Sequence, residues 1–517
     1  MDKLPSETVG LIVRCLLQPE NGRKAAKIAS YAGISRAWQN AVELQTMRSI
    51  MVRSSSAEWE MFRQIFIGLR RRSILSELLY SHPTVPRCYQ TGWPGALLPE
   101  MLEDCSIDRQ QELDMDFELA VRNLFGFLRE WEDEFVAANI THRAAPLTLR
   151  INPVWKPQTL LMLKFQGQES LPTLYRVKCL IIHSVHPTAF LKIANCLSNV
   201  TNVYYFVWTM NFSVLRTSIQ DFRSSLSMAL RKLSLPSLKS FHVGCSGRSL
   251  QNHNLDAPSW NGNHPIDLLS LSLALFMHVH HLTEIELRFY PWGLSPELFC
   301  PFSPSFPTSV TQPKPSWVNL ERLMLTYGNL HPGGKWYLIG SPELAPFDLY
   351  EDSEDSEDSE DSDNGSVLEY FECPPYQWRW LFCPRTFDPL VRAMSRAVLH
   401  MPRLRQLSFT LSWSGHLITE QSLHIEFLMP GETTAVQPCY DSIVAFDRQY
   451  VGWIRWYSWM IIVRPDDRDM GVVWQIPRDI RELWWDKVGV ERRGLIAWGT
   501  KGPNAYEIIS ASFSRNE

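Results

Sequence analysis

Residues 282–287 read LTEIEL, and the phrase returns as LERLML at 320–325 and LRQLSF at 404–409. Each has the form L-x-x-h-x-h, with h apolar, and two looser copies stand at Val200/Val203/Tyr205 and Leu238/Phe241/Val243. The last two apolar positions alternate, as in a strand buried on one face. Ahead of four of the five copies lies a stripe of helical period: Phe190, Ala194, Leu197; Leu215, Ile219, Phe222, Leu226, Leu230; Leu269, Leu273, Phe276; and Leu390, Met394, Ala397, Val398, Met401. A helix–strand pair leaves an apolar face that only a neighbouring pair can cover, so the units are expected to stack around a parallel sheet. The alternative is a mixed α/β domain whose buried strands look alike because all buried strands do. Copies starting at 200, 238, 282, 320 and 404 are too unevenly spaced for a strict solenoid.

Outward from this body, Leu147, Leu149 and Ile151 alternate as a further strand, and Phe117, Val121, Leu124, Leu128, Trp131 and Phe135 mark a long amphipathic helix before it. Residues 81–105 are Pro-rich and irregular. The stretch 57–80, with Trp59, Phe62, Ile65, Phe66 and Leu69 at helical spacing, reads as a connecting helix. Past residue 420 the runs become strand-like. The expected organisation is a small helical module at 1–50, a helical connector at 51–145, an α/β body at 146–420 with an acidic insert at 351–365, and a β-rich cap at 421–517 that covers the sheet edge.

At 517 residues the chain suggests two to four units, and 45% hydrophobic and 12% aromatic content allows a sizeable core. The ten cysteines form no C-x-x-C pair, and no apolar run reaches the ~18 residues that span a bilayer. A cytosolic or nuclear protein with reduced thiols and no membrane partner is expected. The net charge of −5 has a local source, because residues 351–363, EDSEDSEDSEDSD, hold nine acids and no base. Dispersed charge elsewhere gives no basic face for nucleic acid. No phosphate loop, dinucleotide fingerprint, G-x-S-x-G elbow or H-E-x-x-H is present, so neither an enzyme nor a cofactor or metal is expected. His278, His280 and His281 sit together but, being nearly adjacent, cannot face one ion from a helix; they read as a basic helix end. Ser414 and His416 lack an orienting acid.

The N-terminal module carries the functional signal. LPSETVGLIVRCLL at 4–17 places Pro5 at a first helical position, Glu7 in the first turn, and Val9, Ile12, Val13 and Leu16 on one stripe. IASYAGISRAWQNAVELQTM at 28–47 restarts after Ser35, a candidate N-cap, with Trp38, Ala41 and Val42 on one side. The order LPxE followed by SRxWxxxxE resembles the F-box, the helical module that hands a protein to the Skp adaptor of a cullin-type ubiquitin ligase. Tyr31, Ala32, Ile34, Ser35, Arg36, Trp38, Gln39, Glu43 and Thr46 match the large F-box proteins of filamentous fungi, while Gly33 and Met47 depart from them. A second stretch, from Trp317, Asn319 and Leu320 to Gly334, Lys335, Trp336 and Tyr337, resembles a segment of the same proteins.

That resemblance implies that Leu4, Pro5, Val9, Ile12 and Leu16 face the adaptor while Trp38 and Val42 build the small core. The strand phrase is similar to that of leucine-rich repeats, which implies a degenerate, irregular solenoid presenting a concave face. The expected function is a non-catalytic substrate receptor whose partners are a Skp-type adaptor, through it a cullin, and an unidentified target protein. The alternative is an F-box scaffold that acts without a ligase. In the acidic insert, Ser353, Ser356, Ser359 and Ser362 are candidate phosphorylation positions.

Overall fold

The computed structural model describes residues 4–17, 28–83, 107–154, 162–208, 216–246, 259–261, 264, 266–290, 292–300, 317–339, 381–414, 420–428, 453–459, 477–488, 496–502 and 505–511. The acidic insert lies outside them. The chain is mixed α/β and divides into two compact units: Met1–Thr91, Glu103–Tyr205 and Ser234–Leu238 form one, and Gly92–Leu102, Phe206–Leu233 and Lys239–Glu517 the other.

The first unit begins with α1 (Ser6–Leu17), a 3₁₀ turn (Ile28–Gly33) and α2 (Arg36–Thr46). It continues with β1 (Ser49–Arg53), α3 (Ser56–Ile65), α4 (Leu69–Ile74), β2 (Glu77–Pro83), the 31-residue α5 (Ile107–Ala137), β3 (Leu147–Val154), β4 (Val177–His183), α6 (Pro187–Asn195) and β5 (Asn202–Trp208), within which the chain leaves the unit. Strands run in the order β1-β2-β3-β4-β5. The first three contacts are parallel, in rows such as Ile50↔Leu78↔Leu149↔Leu180 and Val52↔Tyr80↔Ile151↔Ile182. Every member of these rows from Leu78 onward is buried, so they form the core face of the sheet. Against it pack Phe62, Phe66, Phe127 and Trp131, with ring centroids 4.7 to 5.8 Å apart. Contacts of this kind add to the area they bury.

Two expectations are corrected here. Residues 57–80 are not one helix: Gly68 stands at the break between α3 and α4, and Leu78 and Tyr80 then alternate with half-buried neighbours as a strand does. The stretch 51–145 is accordingly no helical connector, since it supplies most of β1 and all of β2 to the sheet. β1 stands at the end of the strand order, and the Arg53 amide donates to Glu58 Oε2 at 3.1 Å, satisfying one ladder donor locally.

The second unit holds α7 (Arg216–Lys232), β6 (Ser240–Ser246), α8 (Leu268–Val279), β7 (Glu284–Phe289), β8 (Arg322–Tyr327), the two-residue strands β9 (Leu330–His331), β10 (Lys335–Trp336), β11 (Leu338–Ile339) and β12 (Leu381–Phe382), then α9 (Phe387–Leu399) and β13 (Gln406–Ser414). β14 (Glu420–Leu428), β15 (Trp453–Trp459), α10 (Arg478–Val488), β16 (Ile496–Gly502) and β17 (Ala505–Ala511) close the chain. The strand order is β6-β7-β8-β13-β14-β15-β16-β17. β6, β7, β8 and β13 are parallel in an unshifted register, Phe241↔Ile285↔Leu323↔Leu407, which superposes the L-x-x-h-x-h phrases directly. Beyond β13 the pairing turns antiparallel except between β15 and β16, so the C-terminal strands extend the sheet. The alternation of helix and strand is interrupted between β7 and β8, where the described residues hold only a 3₁₀ turn, Pro296–Phe299.

Candidate partner-binding module and polar sheet face

The N-terminal module has its own small core. Val9, Val13, Ile28, Trp38, Ala41 and Val42 are buried together, with Ile12, Leu16, Tyr31 and Ala32 packed around them. Tyr31 stacks on Trp38 at 5.8 Å. Ser35 caps α2, its Oγ accepting from the Trp38 amide at 3.5 Å. Val9 and Val13 stand four apart and turn the same side of α1 inward.

Of the residues the resemblance assigns to the adaptor, Leu4 is 41% exposed and Pro5 is exposed, whereas Val9 is 1% exposed and Ile12 and Leu16 are half-buried. Val9 therefore belongs with Trp38 and Val42 in the core. Its place at the surface is taken by Leu11, 58% exposed on the opposite side of α1, which the stripe reading passes over because it breaks the i, i+3, i+4 pattern.

Glu43 fastens the module to the rest of the first unit. Its carboxylate, almost fully buried, accepts from Arg70 at 2.5 Å, Arg71 at 2.8 Å and Gln39 at 3.1 Å. Burial alone would raise this carboxyl, but the hydrogen bonds from Arg71, Gln39 and Arg70 outweigh it and hold the group below its ordinary range. The acid of the SRxWxxxxE phrase thus meets the Arg70-Arg71-Arg72 run. Arg72 pairs with Glu134 and lies over Trp131 at 5.1 Å.

On β6 and β7 a polar line crosses the sheet face opposite the core. Ser240 Oγ lies 2.6 Å from His242 Nε2, and His242 Nδ1 lies 2.6 Å from Glu286 Oε2. Arg288 pairs with the other Glu286 oxygen. Burial would raise Glu286, yet the His242 hydrogen bond and the Arg288 charge keep it below its ordinary range. Nucleophile, base and orienting acid stand in sequence here, but the surroundings do not favour an activated serine. Ser240 donates to Glu284 Oε2 at 3.3 Å, so its proton has a partner other than His242. The Glu284 carboxylate would also repel a developing oxyanion. The strand amides are spent in the ladders and offer it no donors.

His278 stacks on Trp317 at 4.8 Å and its Nε2 lies 3.1 Å from the Cys300 carbonyl. No group of three or more metal-ligating side chains gathers among the described residues. Cys15, Cys179, Cys196, Cys245, Cys300 and Cys383 are free thiols. His416 lies outside the described residues. The Asn329–Tyr337 segment forms a hairpin, β9 with β10, turning through Gly334 at φ 74, a conformation natural to glycine. Tyr337 is fully buried, its hydroxyl donating to the Leu294 carbonyl at 2.6 Å, and Thr386 Oγ1 donates to the Trp336 carbonyl at 2.8 Å. This segment is a packing knot.

No helix among the described residues is long and apolar enough to cross a membrane. Comparison with family models, with curated proteins and with solved structures finds no match for the chain.

Proposed function

We propose that the protein is an F-box-type substrate receptor, using its N-terminal module to bind the Skp adaptor of a cullin-type ubiquitin ligase and its α/β units to hold a target protein. The observation that carries this reading is a module of two α-helices and a 3₁₀ turn with a closed core of its own and apolar residues left outside it, Leu4 and Leu11 with Pro5. An exposed apolar set on a helix is the usual anchor of a helical interface. The strand order supports a solenoid-like body within each unit: β1 to β5 follow one another in sequence and space, as do β6 to β8.

The test is co-purification of adaptor and cullin with the tagged full chain. Leu4→Ala with Pro5→Ala, or Leu11→Asp, is expected to abolish it, because the anchor is lost or a charge is buried unpaired. Ile12→Asp is a poor choice, since half-buried Ile12 supports the module's core. Normal co-purification by a folded Leu11→Asp variant would refute the adaptor reading.

A further inference from the structure

In the second unit, β6, β7, β8 and β13 begin at one end of the sheet, and a single backbone step repeats along it. The amides of Thr283 and Glu284 both donate to the Lys239 carbonyl, those of Glu321 and Arg322 to Thr283, and those of Arg405 and Gln406 to Glu321, at 2.8 to 3.1 Å. Lys239, Thr283, Glu321 and Arg405 therefore form one rung, about 14 Å long at the usual strand spacing. Two positions earlier in the chain lies an outer rung of His281, Asn319 and Arg403. Here Arg403 Nη1 donates to Asn319 Oδ1 at 3.2 Å, and Asn319 Nδ2 lies 3.5 Å from His281 Nδ1.

Cations that are scattered in the sequence are gathered at this end. Lys239, Arg322, Arg403 and Arg405 are exposed there, and the last turns of α7 and α9 add Arg231, Lys232 and Arg396. The helix-end cations are stabilised by the helix carbonyls beside them, which accounts for their presence. That account does not reach the other four, which stand on turns and strand starts. Among the described residues of this end only Glu284 and Glu321 oppose them, and Glu284 already accepts the Ser240 hydroxyl at 3.3 Å. The ion pairs of the second unit join Arg223 to Asp267, Glu286 to His242 and Arg288, Arg392 to Asp479, and Arg478 to Glu482. Among the described residues none of them holds Lys239, Arg322 or Arg403. Amid these charges stand Val279, 74% exposed, and Val318, 47% exposed, each next in the chain to one member of the His278–Trp317 stack.

We propose that this end of the second unit receives an acidic stretch of the target protein, in which carboxylates flank an apolar side chain. This rests on the receptor reading and adds the chemistry of what is received. Cations without ion pairs, lying along a rung about as long as a Debye length at physiological salt, set up a positive potential that draws and orients carboxylates. Arg322 and Arg403 meet them, and Val279 and Val318 cover the apolar side chain between. A nucleic acid fits this end less well. Its evenly spaced phosphates would run over Glu321, and the described residues here offer its bases no exposed Phe, Tyr or Trp to stack on.

The experiment pans a random peptide library of about 12 residues, displayed on phage, against the full-length chain and a full-length Arg322→Glu/Arg403→Glu variant. Arg322→Gln/Arg403→Gln serves as a second comparison, which removes the charges without adding any. Peptides enriched on the parent over both variants are expected to carry an excess of Asp and Glu around an apolar residue. Their synthetic copies should lose at least five-fold in affinity to the Gln variant and at least three-fold to Val279→Ser/Val318→Ser. A synthetic copy of EDSEDSEDSEDSD, which has carboxylates and no apolar side chain, should bind at least five-fold more weakly than they do. No enrichment, enrichment without the acidic excess, or equal affinity for parent and variants overturns the proposal. So does a single-stranded DNA of about 12 nucleotides that binds as tightly as the peptides and loses affinity to the same variants. Adaptor co-purification by these variants is expected to be normal, so a failure here leaves the receptor reading standing, and a parent chain that captures no adaptor removes that reading instead.

Discussion

At the scale of single residues, the first unit depends on three buried acids that the apolar stripe of α5 does not point to. Asp114, Glu118 and Glu132 lie on α5 and are buried, each accepting backbone amides from the irregular segment ahead of β4. Lys164 donates to Asp114 at 2.9 Å, Gln166 and Gly167 to Glu118 at 2.7 Å each, and Arg176 to Glu132 at 2.7 Å. In this way a stretch with no ladder partners has its amides satisfied. Gly167 approaches so closely that an added Cβ would stand 2.5 Å from Glu118 Oε1. Gly167→Ala is expected to displace the carboxylate and cost about 1–3 kcal/mol in denaturant unfolding. The pH dependence has a definite sign. Burial would raise Glu118, but amide hydrogen bonds from Gly167 and Gln166 and the Arg122 contacts hold it below its ordinary 4.5. A carboxyl depressed in the folded state stabilises fully above its unfolded value, and that stability is lost as pH falls through the folded one. Glu118→Gln should therefore lower stability at pH 7 and flatten its decline between about pH 5 and 3. An unchanged acid profile would show the clamp to be energetically silent.

Among elements, the pairing of α7 with α8 in the second unit is held by a buried ion pair. Arg223 Nη2 donates to both oxygens of Asp267 at 2.8 Å, with the two side chains 3% and 2% exposed. Asp267 is also the N-cap of α8, accepting from the Leu269 amide at 3.3 Å, and it takes a further hydrogen bond from Ser270. Ser227 and Ser272 meet at 2.8 Å along the same helix pair. Removing one ion of a buried pair strands the other, so Asp267→Ala is expected to cost about 3–5 kcal/mol. Arg223→Leu with Asp267→Leu should recover part of that, less about 1 kcal/mol for the lost cap. Hydrogen exchange across 216–232 and 268–279 localises the effect; an additive double variant would mean that the two charges do not interact. The helices themselves are legible in sequence because Phe222, Leu226 and Leu230, and Leu269, Leu273 and Phe276, keep the 3.6 period. The ion pair is not, since Arg223 and Asp267 are far apart in sequence and each reads as an exposed polar position. β2 is missed for a different reason: Leu78 and Tyr80 follow so closely on a helical stripe that the change of period spans too few residues to register.

For the whole molecule, much of the α/β architecture is written in the recurring strand phrase, because parallel strands in register repeat one burial pattern. Position five of LTEIEL, Glu286, faces the polar line while Ile285 and Leu287 face the core, an alternation any reader of the sequence can find. What stays hidden is which apolar residues of α1 are inside: amphipathicity marks Val9 as a stripe member without saying whether the stripe meets a partner or Trp38. That distinction decides how the function can be tested by dissection. Since Val9, Val13, Trp38 and Val42 form a core among residues 9–42 alone, removing residues 1–47 takes that core away entire. Among the described hydrogen bonds and ion pairs, the loss to the remaining first unit falls on Arg70 and Arg71, which lose Glu43 but retain access to water, their side chains being 49% and 36% exposed. The truncated chain is therefore expected to fold, to keep its hold on a target, and to lose adaptor and cullin. A receptor bridges the two, so the target's half-life after a translation block should lengthen when full-length protein is replaced by the truncated form at equal abundance. A scaffold that works without a ligase requires no such change. Equal half-lives, with target binding retained, would exclude the ubiquitin receptor and leave the scaffold.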